Sequence, residues 1–415
     1  VTSARRAHDV VLYGASGFVG RQTVAYFAQH AGRLRWALGG RNEAKLKAAR
    51  TAAGPGAAKA GIIVADAADD DGLAALAAQT KVVLSTAGPF ALYGSALVAA
   101  CVEHGTHYCD ITGETPWVRE LIDRHHERAA KDGTRIVPCC GFDSVPSDIG
   151  ALLVATEVQR KSGTPCVGVK ACHAMRGGLN GGTLASLLNI AEAGALDQLA
   201  DTFLLNPAGT APADRRAHAD MLSAHHDDDF DAWLAPFVMA AINTRVVRRS
   251  AALSLSDRKS NRPGPYAEGF VYQEGMRAGR GVKGVALAAG LSLGVGVGAA
   301  SMRLAPWRAV LGALLPAPGQ GPSERTMDNG SFRCELVGLG TDGTQVRGCI
   351  AGRGDPGNRA TTIFVCEAAM ALAADARKLP GGARRGGVLT PATALGVPYA
   401  RRLAAGGIKV EPLPD

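Results

Sequence analysis

Glycines 14, 17 and 20 in Gly14-Ala15-Ser16-Gly17-Phe18-Val19-Gly20 follow directly on an apolar triplet, Val10-Val11-Leu12. A diphosphate needs a backbone it can approach closely and free N–H groups at a helix start. This order supplies both if a strand ends at Tyr13 and a helix opens at Phe18. A glycine triplet alone could equally be a tight turn, so the surrounding residues decide. In a dinucleotide site the end of the second strand selects the cofactor: a carboxylate takes the ribose hydroxyls of NAD, an arginine the 2′-phosphate of NADP. Here that stretch reads Ala37-Leu38-Gly39-Gly40-Arg41-Asn42, with no acid at its tip. Arg41 as a phosphate clamp, with Asn42 as an added donor, points to NADPH. Asp66 is expected near the adenine or as a helix cap. Thr86, Ala87, Gly88 and Pro89 are small or turn-forming, which lets a flat ring approach the backbone. They are expected to border the ribose and nicotinamide.

These residues need a sheet to bring them together. Strand-like runs at Asp9–Tyr13, Leu34–Gly39, Gly61–Ala65, Lys81–Thr86, Thr106–Ile111 and Thr134–Cys139 alternate with helical patterns at Phe18–Ala31, Asn42–Ala53, Gly72–Gln79, Ser95–His104 and Thr115–Lys131. That alternation predicts an α/β fold, a Rossmann-type doubly wound parallel sheet over residues 1–148, with ligands at the carboxyl ends of its strands. The glycine turn then follows the first strand and opens the first helix, as a dinucleotide site requires. After Asp148 the alternation stops. Residues 149–358 read as a second, α+β domain for substrate or partner: a long amphipathic pattern at Leu184–Leu205, a polar loop at Asn206–Asp231, and a hairpin of Ser331–Leu339 and Gln345–Ala351 around Asp342-Gly343. A helical pattern returns at Ala360–Ala376, and residues 359–415 are expected to pack back on the first domain.

The composition sets limits. Hydrophobic residues make up 47% of 415 and charged residues 20%, the balance of a globular chain with a sizeable core. No early stretch combines basic residues with an apolar run long enough for a signal peptide. The nine cysteines include the adjacent pair Cys139-Cys140 and no C-x-x-C. They read as reduced thiols, and with them goes an expectation of a cytoplasmic protein. A net charge of +8 suits either a solvated basic surface or an anionic partner. Aromatic residues reach only 5% and do not interleave with basic runs, so nucleic acid is not an expected partner.

Taken in order, GASGFVG, GGR after the second strand, TAGPFALYG, CDITGE, CCGFDSVPSD and the late GGVLTPATALG resemble the saccharopine dehydrogenase-like oxidoreductase superfamily. INTRVVRRSAAL at Ile242–Leu253, with the layout of nearly the whole chain, is similar to the trans-acting enoyl reductases. That resemblance implies an NADPH-dependent reductase of the C=C bond of an enoyl thioester. The thioester would be a polyketide or lipid intermediate on the acyl carrier protein of a synthase lacking its own enoyl reductase. Reduction of a C=N or C=O bond is the alternative within the superfamily. A nucleotide-binding, lipid- or membrane-associated protein without turnover is the alternative outside enzymes.

Enoyl reduction takes a hydride to the β-carbon, a proton to the α-carbon, and donors to the thioester oxygen. Tyr93, beside the expected nicotinamide edge, is a candidate donor, or else a core tyrosine. Asp143 and Ser144, in the loop after the sixth strand, are candidates for proton transfer or for holding a substrate oxygen; capping the next helix, with Pro146 in its first turn, is the other role. Asp110-Ile111-Thr112-Gly113-Glu114 is expected as a wall of the substrate cleft. Arg245, Arg248 and Arg249 would meet a phosphopantetheine arm or an acidic carrier, or form a solvated basic face. Cys101, His104, His107 and Cys109 resemble zinc spacing but straddle a helix end and a strand, and His225-His226 lies in a polar stretch, so no metal is expected. Gly284–Met302 carries no charge and is flanked by Arg280, Lys283 and Arg303. It reads as a buried helix, a peripheral membrane or lipid contact, or a span.

Overall fold

The computed structural model describes residues 6–177, 181–257, 264–304, 306–308, 310, 320–374 and 376–414. Val10, Val11 and Leu12 are completely buried, the mark of a central parallel strand covered on both faces. They lie in β1 (His8–Tyr13), followed by β2 (Trp36–Gly40), β3 (Gly61–Val64), β4 (Thr80–Ser85), β5 (His107–Asp110) and β6 (Arg135–Val137). These six and a later strand pair in parallel, in the order late strand, β6, β5, β4, β1, β2, β3. The order reverses beside β1, and such a switch point opens a crevice at the carboxyl ends of the strands.

Local chemistry fixes the helices that flank this sheet. Helix Phe18–His30 starts straight after the glycine loop. A Cβ on Gly20 would sit 2.1 Å from the Gly14 carbonyl oxygen, so only glycine lets the helix pack this closely on the loop. The Asn42 side chain caps helix Glu43–Ala52 by accepting from the Lys45 amide, and Asp69 caps helix Asp70–Ala78. Helix Thr361–Ala374 is buried on nearly every side, as an all-round apolar sequence demands, and packs on β1, β4 and β5.

The second sheet is built from β7 (Cys166–Arg176), β8 (His225–Asp227), β9 (Ala232–Ala235), β10 (Tyr266–Gly279), β11 (Ser331–Gly340) and β12 (Gln345–Arg353). The C-terminal segment adds β13 (Gly387–Val388), the late strand of the first sheet, paired with β6, and β14 (Lys409–Glu411), paired with β12 in the second. The expected hairpin is present, with Leu339 opposite Gln345. Helix Val145–Ser162 lies on β11 and β12, where a Cβ on Gly338 or Gly348 would come within 2.4 Å of Val154. The Asp148 carboxylate, buried in that helix, accepts hydrogen bonds from Ser250 Oγ and from the Ala392 amide at 2.8 Å. So the FDSVPSD and TPATALG stretches meet as one structural joint.

Two expectations are corrected. The stretch Asn206–Asp231 is not all loop: His225–Asp227 is an edge strand, because β9 offers it an antiparallel partner with His225 opposite Leu234 and Asp227 opposite Ala232. Helix Gly281–Ser301, which contains most of Gly284–Met302, is not a buried core helix. Only Gly284 and Ala288 are buried, where the helix rests on β9 and β10, and the rest lies outside the core.

Candidate functional site

The carboxyl ends of β1, β2, β4, β5 and β6 open into one cleft of about 590 Å³. Its first wall is the glycine loop. Gly14 has φ +80°, and a Cβ there would stand 2.9 Å from the Ala87 amide nitrogen, so both conformation and space require glycine. The Thr86 amide donates to the Tyr13 carbonyl at 2.9 Å, locking the end of β4 onto the loop. Of the residues singled out from sequence, Gly14, Ser16, Gly17, Phe18, Val19, Arg41, Asp66, Thr86, Ala87, Gly88 and Pro89 line the cleft. Ala15 and Gly20 are buried behind the loop, and Asn42 lies outside the cleft lining, its Oδ1 accepting the Lys45 amide as a helix cap. Asp66 also accepts from the Ala68 amide at 3.0 Å.

Arg41 is exposed at the tip of β2 and forms no ion pair among the described residues. It is also the only cation among the described residues that line the cleft. A guanidinium without an ion-pair partner among the described residues, in the same cleft as the glycine loop that opens a helix, fits a 2′-phosphate and a diphosphate in one ligand.

The second wall comes from the loops after β4, β5 and β6. Tyr93 lines the cleft and is 43% exposed, so it is no core tyrosine. The turn that carries it is held from behind by Glu114. That buried carboxylate accepts from the amides of Phe90 and Ala91, at 2.8 and 2.9 Å, and from Ser186 Oγ at 2.7 Å. Ile111 and Gly113 face the cleft, whereas Asp110 is fully buried beneath it. Asp110 accepts from the amides of Thr112 and Cys139, at 3.0 and 3.1 Å. Burial pushes its carboxyl up to about 7. Its bond to the Cys139 amide supports a non-glycine residue at φ 63°, a strained conformation that turns the chain toward Asp143.

Asp143 is half-buried in the cleft wall, and no hydrogen bond to its carboxylate is formed by the described residues. Burial alone pushes it up to about 6. Ser144 does not line the cleft, nor does its side chain cap the helix. Its Oγ is buried and donates to Asn243 Oδ1 at 3.4 Å, while Asn243 Nδ2 donates to Glu274 Oε1 at 2.7 Å. The far wall is apolar: Ile190, Leu199, Val238, Met239 and Ile242.

Residues 10–137 match the family described as the saccharopine dehydrogenase NADP binding domain. Over 98% of each chain, the sequence is 34% identical to the trans-acting enoyl reductase of Mycobacterium bovis (strain BCG / Pasteur 1173P2). Over 99% of each chain, it is 37% identical to a relative from Mycobacterium tuberculosis (strain ATCC 25618 / H37Rv) that bears the same name provisionally. The chain belongs to the trans-acting enoyl reductase family. Its fold is similar to that of apo saccharopine dehydrogenase (L-Glu forming) from Saccharomyces cerevisiae, at TM-score 0.52 and 14% identity over 97% of this chain and 99% of that one. NADP is the cofactor, and the glycine loop and the free Arg41 fit it.

The family stretch INTRVVRRSAAL has a different role from the one its charge suggests. Arg245, Arg248 and Arg249 are all buried, so they form neither a carrier-facing patch nor a solvated face. Arg245 pairs with Asp220 at 2.5 Å and donates to the Leu199 carbonyl. Arg248 donates to the carbonyls of Thr202, His218 and Tyr272, and Arg249 to those of Leu205 and Val388. Burial disfavours charge on Arg248 and Arg249, and the carbonyl dipoles offset that cost. The arginines thus pin the excursion that brings Leu199 to the cleft. Glu114 and the apolar wall are the site features whose roles sequence reasoning missed, because partners far along the chain create them. Among the described residues no group of three or more His, Cys, Asp or Glu is arranged to hold a metal.

Proposed function

We infer that this chain reduces the C=C bond of an enoyl thioester with NADPH, the thioester arriving on the acyl carrier protein of a separate synthase, with Asp143 as the proton donor. The observation that carries this reading is the Asp143 carboxyl. It is raised to about 6, free of hydrogen bonds from the described residues, and in the same cleft as the glycine loop. A carboxyl raised in this way, with no hydrogen bond from the described residues, keeps a protonated fraction near neutral pH that a carbanion-like centre can take. When bound, NADPH supplies the hydride for the β-carbon. The Gly14–Gly20 loop and Arg41 would hold the cofactor, and Thr86–Pro89 would keep its ring against the cleft.

The Tyr93 hydroxyl, which makes no hydrogen bond to the described residues, would donate to the thioester oxygen as enolate charge develops there, and Glu114 fixes the turn that carries it. Asn243 and Glu274 keep Ser144, and with it the Asp143 loop, in register. The apolar far wall suits an acyl chain. An imine of an amino acid carries carboxylates that need counter-charge, and Arg41 alone, at the cofactor end, offers one among the described lining residues. That favours C=C over C=N reduction. The name of the relatives, trans-acting enoyl reductase, supports delivery from another protein.

The test is Asp143→Asn, which keeps size and polarity but cannot supply a proton. NADPH affinity should hold within about twofold, and turnover of an enoyl thioester should fall by about 10²–10⁴. A variant with wild-type turnover would remove Asp143 from the reaction.

A further inference from the structure

Helix Gly281–Ser301 is the one helix among the described residues with the length and apolar composition of a membrane segment, yet only 11% of its most apolar window is buried. A helix that is apolar on all sides is normally enclosed, by protein or by lipid. Here Val282 is 85% exposed, Leu293 70% and Val297 60%, and Val285 and Leu287 are exposed as well. At about 100° per residue these five fan over an arc of roughly 200°. The buried Gly284 and Ala288 fall on the remaining side, against β9 and β10. A protein face laid along a helix covers a stripe of roughly 100°. An arc twice that width calls for a medium that wraps the helix.

The charges agree with a membrane surface. Lys283 sits at the start of the helix and Arg308 just past its end, and neither pairs with a carboxylate among the described residues. Arg280 and Arg303, beside them, are held by Asp231 and Asp197. The exposed apolar surface continues past the helix into Leu304, Trp307 and Val310. Tryptophan next to basic residues is the composition that settles at the headgroup level. A contiguous exposed apolar patch rimmed by such residues is the signature of a docking face.

We propose that this helix, with Leu304, Trp307 and Val310 beyond it, docks the protein peripherally on an anionic lipid bilayer. The apolar arc enters the outer acyl region, and Lys283 and Arg308 meet the headgroups. The proposal is independent of the reaction assigned to the cleft. The Arg303–Asp197 pair ties the end of the helix to segment Ala195–Ala200, which carries Leu199 of the cleft wall.

The test is flotation of the full chain with vesicles of phosphatidylcholine, with and without phosphatidylglycerol. Wild type should float with the anionic vesicles and lose most of that binding in high salt. Leu293→Glu/Val297→Glu should cut the bound fraction at least tenfold, and Lys283→Glu/Arg308→Glu several-fold on anionic vesicles alone. Unchanged thermal midpoints and NADPH affinity would show that both variants are folded. Wild type left in the pellet with either vesicle overturns the proposal, and needs no variant to do so. So does a dimer by light scattering that Leu293→Glu/Val297→Glu turns into a monomer, because a second copy then covers the helix.

Discussion

Replacing Arg41 by alanine isolates cofactor choice from folding. The side chain is exposed, ends β2 and pairs with no carboxylate among the described residues, so its loss should change stability by no more than about 0.5 kcal/mol. A charge-assisted hydrogen bond to phosphate contributes about 1.5–3 kcal/mol. Solvent screens an exposed guanidinium, so we expect about 1.5–3 kcal/mol for the whole contact rather than for each bond. That converts to roughly a 10- to 150-fold loss of NADPH affinity. NADH lacks the 2′-phosphate and should bind the variant as it binds wild type. The assay is a fluorescence titration with both cofactors, at low and high salt, in wild type, Arg41→Ala and Arg41→Lys. Lysine should restore part of the preference, since it keeps the charge but not the planar fork. An equal loss for NADPH and NADH would refute the reasoning, because Arg41 would then be shaping the loop. An unchanged preference would refute it too, by placing the phosphate contact elsewhere.

Other perturbations follow from the same geometry. Glu114→Gln weakens three hydrogen bonds behind the Phe90–Tyr93 turn. It should lower stability by about 1–2 kcal/mol and reduce NADPH affinity, and urea denaturation with cofactor titration would contradict this if both stayed constant. Arg249→Met leaves the carbonyls of Leu205 and Val388 without their donor, at a cost of about 2–4 kcal/mol. The KM for a carrier-linked substrate should not change in whatever fraction remains folded; a raised KM with normal stability would return the arginine to a surface role. Burial raises Asp110 and Asp148 to about 7, so between about pH 4 and 7 the native state holds protons that the unfolded chain has released. Their contribution is therefore full at low pH and declines as pH rises through that window, by on the order of 1 kcal/mol per pH unit for each carboxyl. Denaturation midpoints from pH 5 to 8 should fall, and fall less in Asp148→Asn; a rise would reverse the sign of the argument. Asp143, raised to about 6, should give turnover that declines above its pKa, and this limb should vanish in Asp143→Asn.

The cofactor half was legible because its constraints are local. Gly20 is dictated by the Gly14 carbonyl within the same loop, Gly14 by its own positive φ in the turn as well as by Ala87 on the neighbouring strand end, and Arg41 stands out through the lack of an acid at the end of one strand. Asp143 could be located from the strand before it, although its lack of hydrogen bonds from the described residues could not. The far half depends on contacts between distant segments. Arg245, Arg248 and Arg249 look like a surface because they are charged, and partners distant in sequence make them interior: Asp220 and the carbonyls of residues 199–218, Tyr272 and Val388. β7 and β10 escaped notice because their outward and inward positions do not alternate cleanly: Cys166–Arg176 mixes buried and half-buried residues on both faces. The exposure of Gly281–Ser301 could not be read from composition, which is the same for a core helix and a lipid-facing one.

The most direct measurement of the central claim is product analysis by mass spectrometry. Purified protein and NADPH would be incubated with an enoyl thioester on an acyl carrier protein, in parallel with the matching β-ketoacyl thioester and an amino-acid imine. The account predicts that the enoyl substrate alone gains two hydrogens, with stoichiometric loss of NADPH, and that Asp143→Asn nearly abolishes the product. Reduction of the ketone or the imine in its place, or NADPH binding with no product from any of the three, would contradict it.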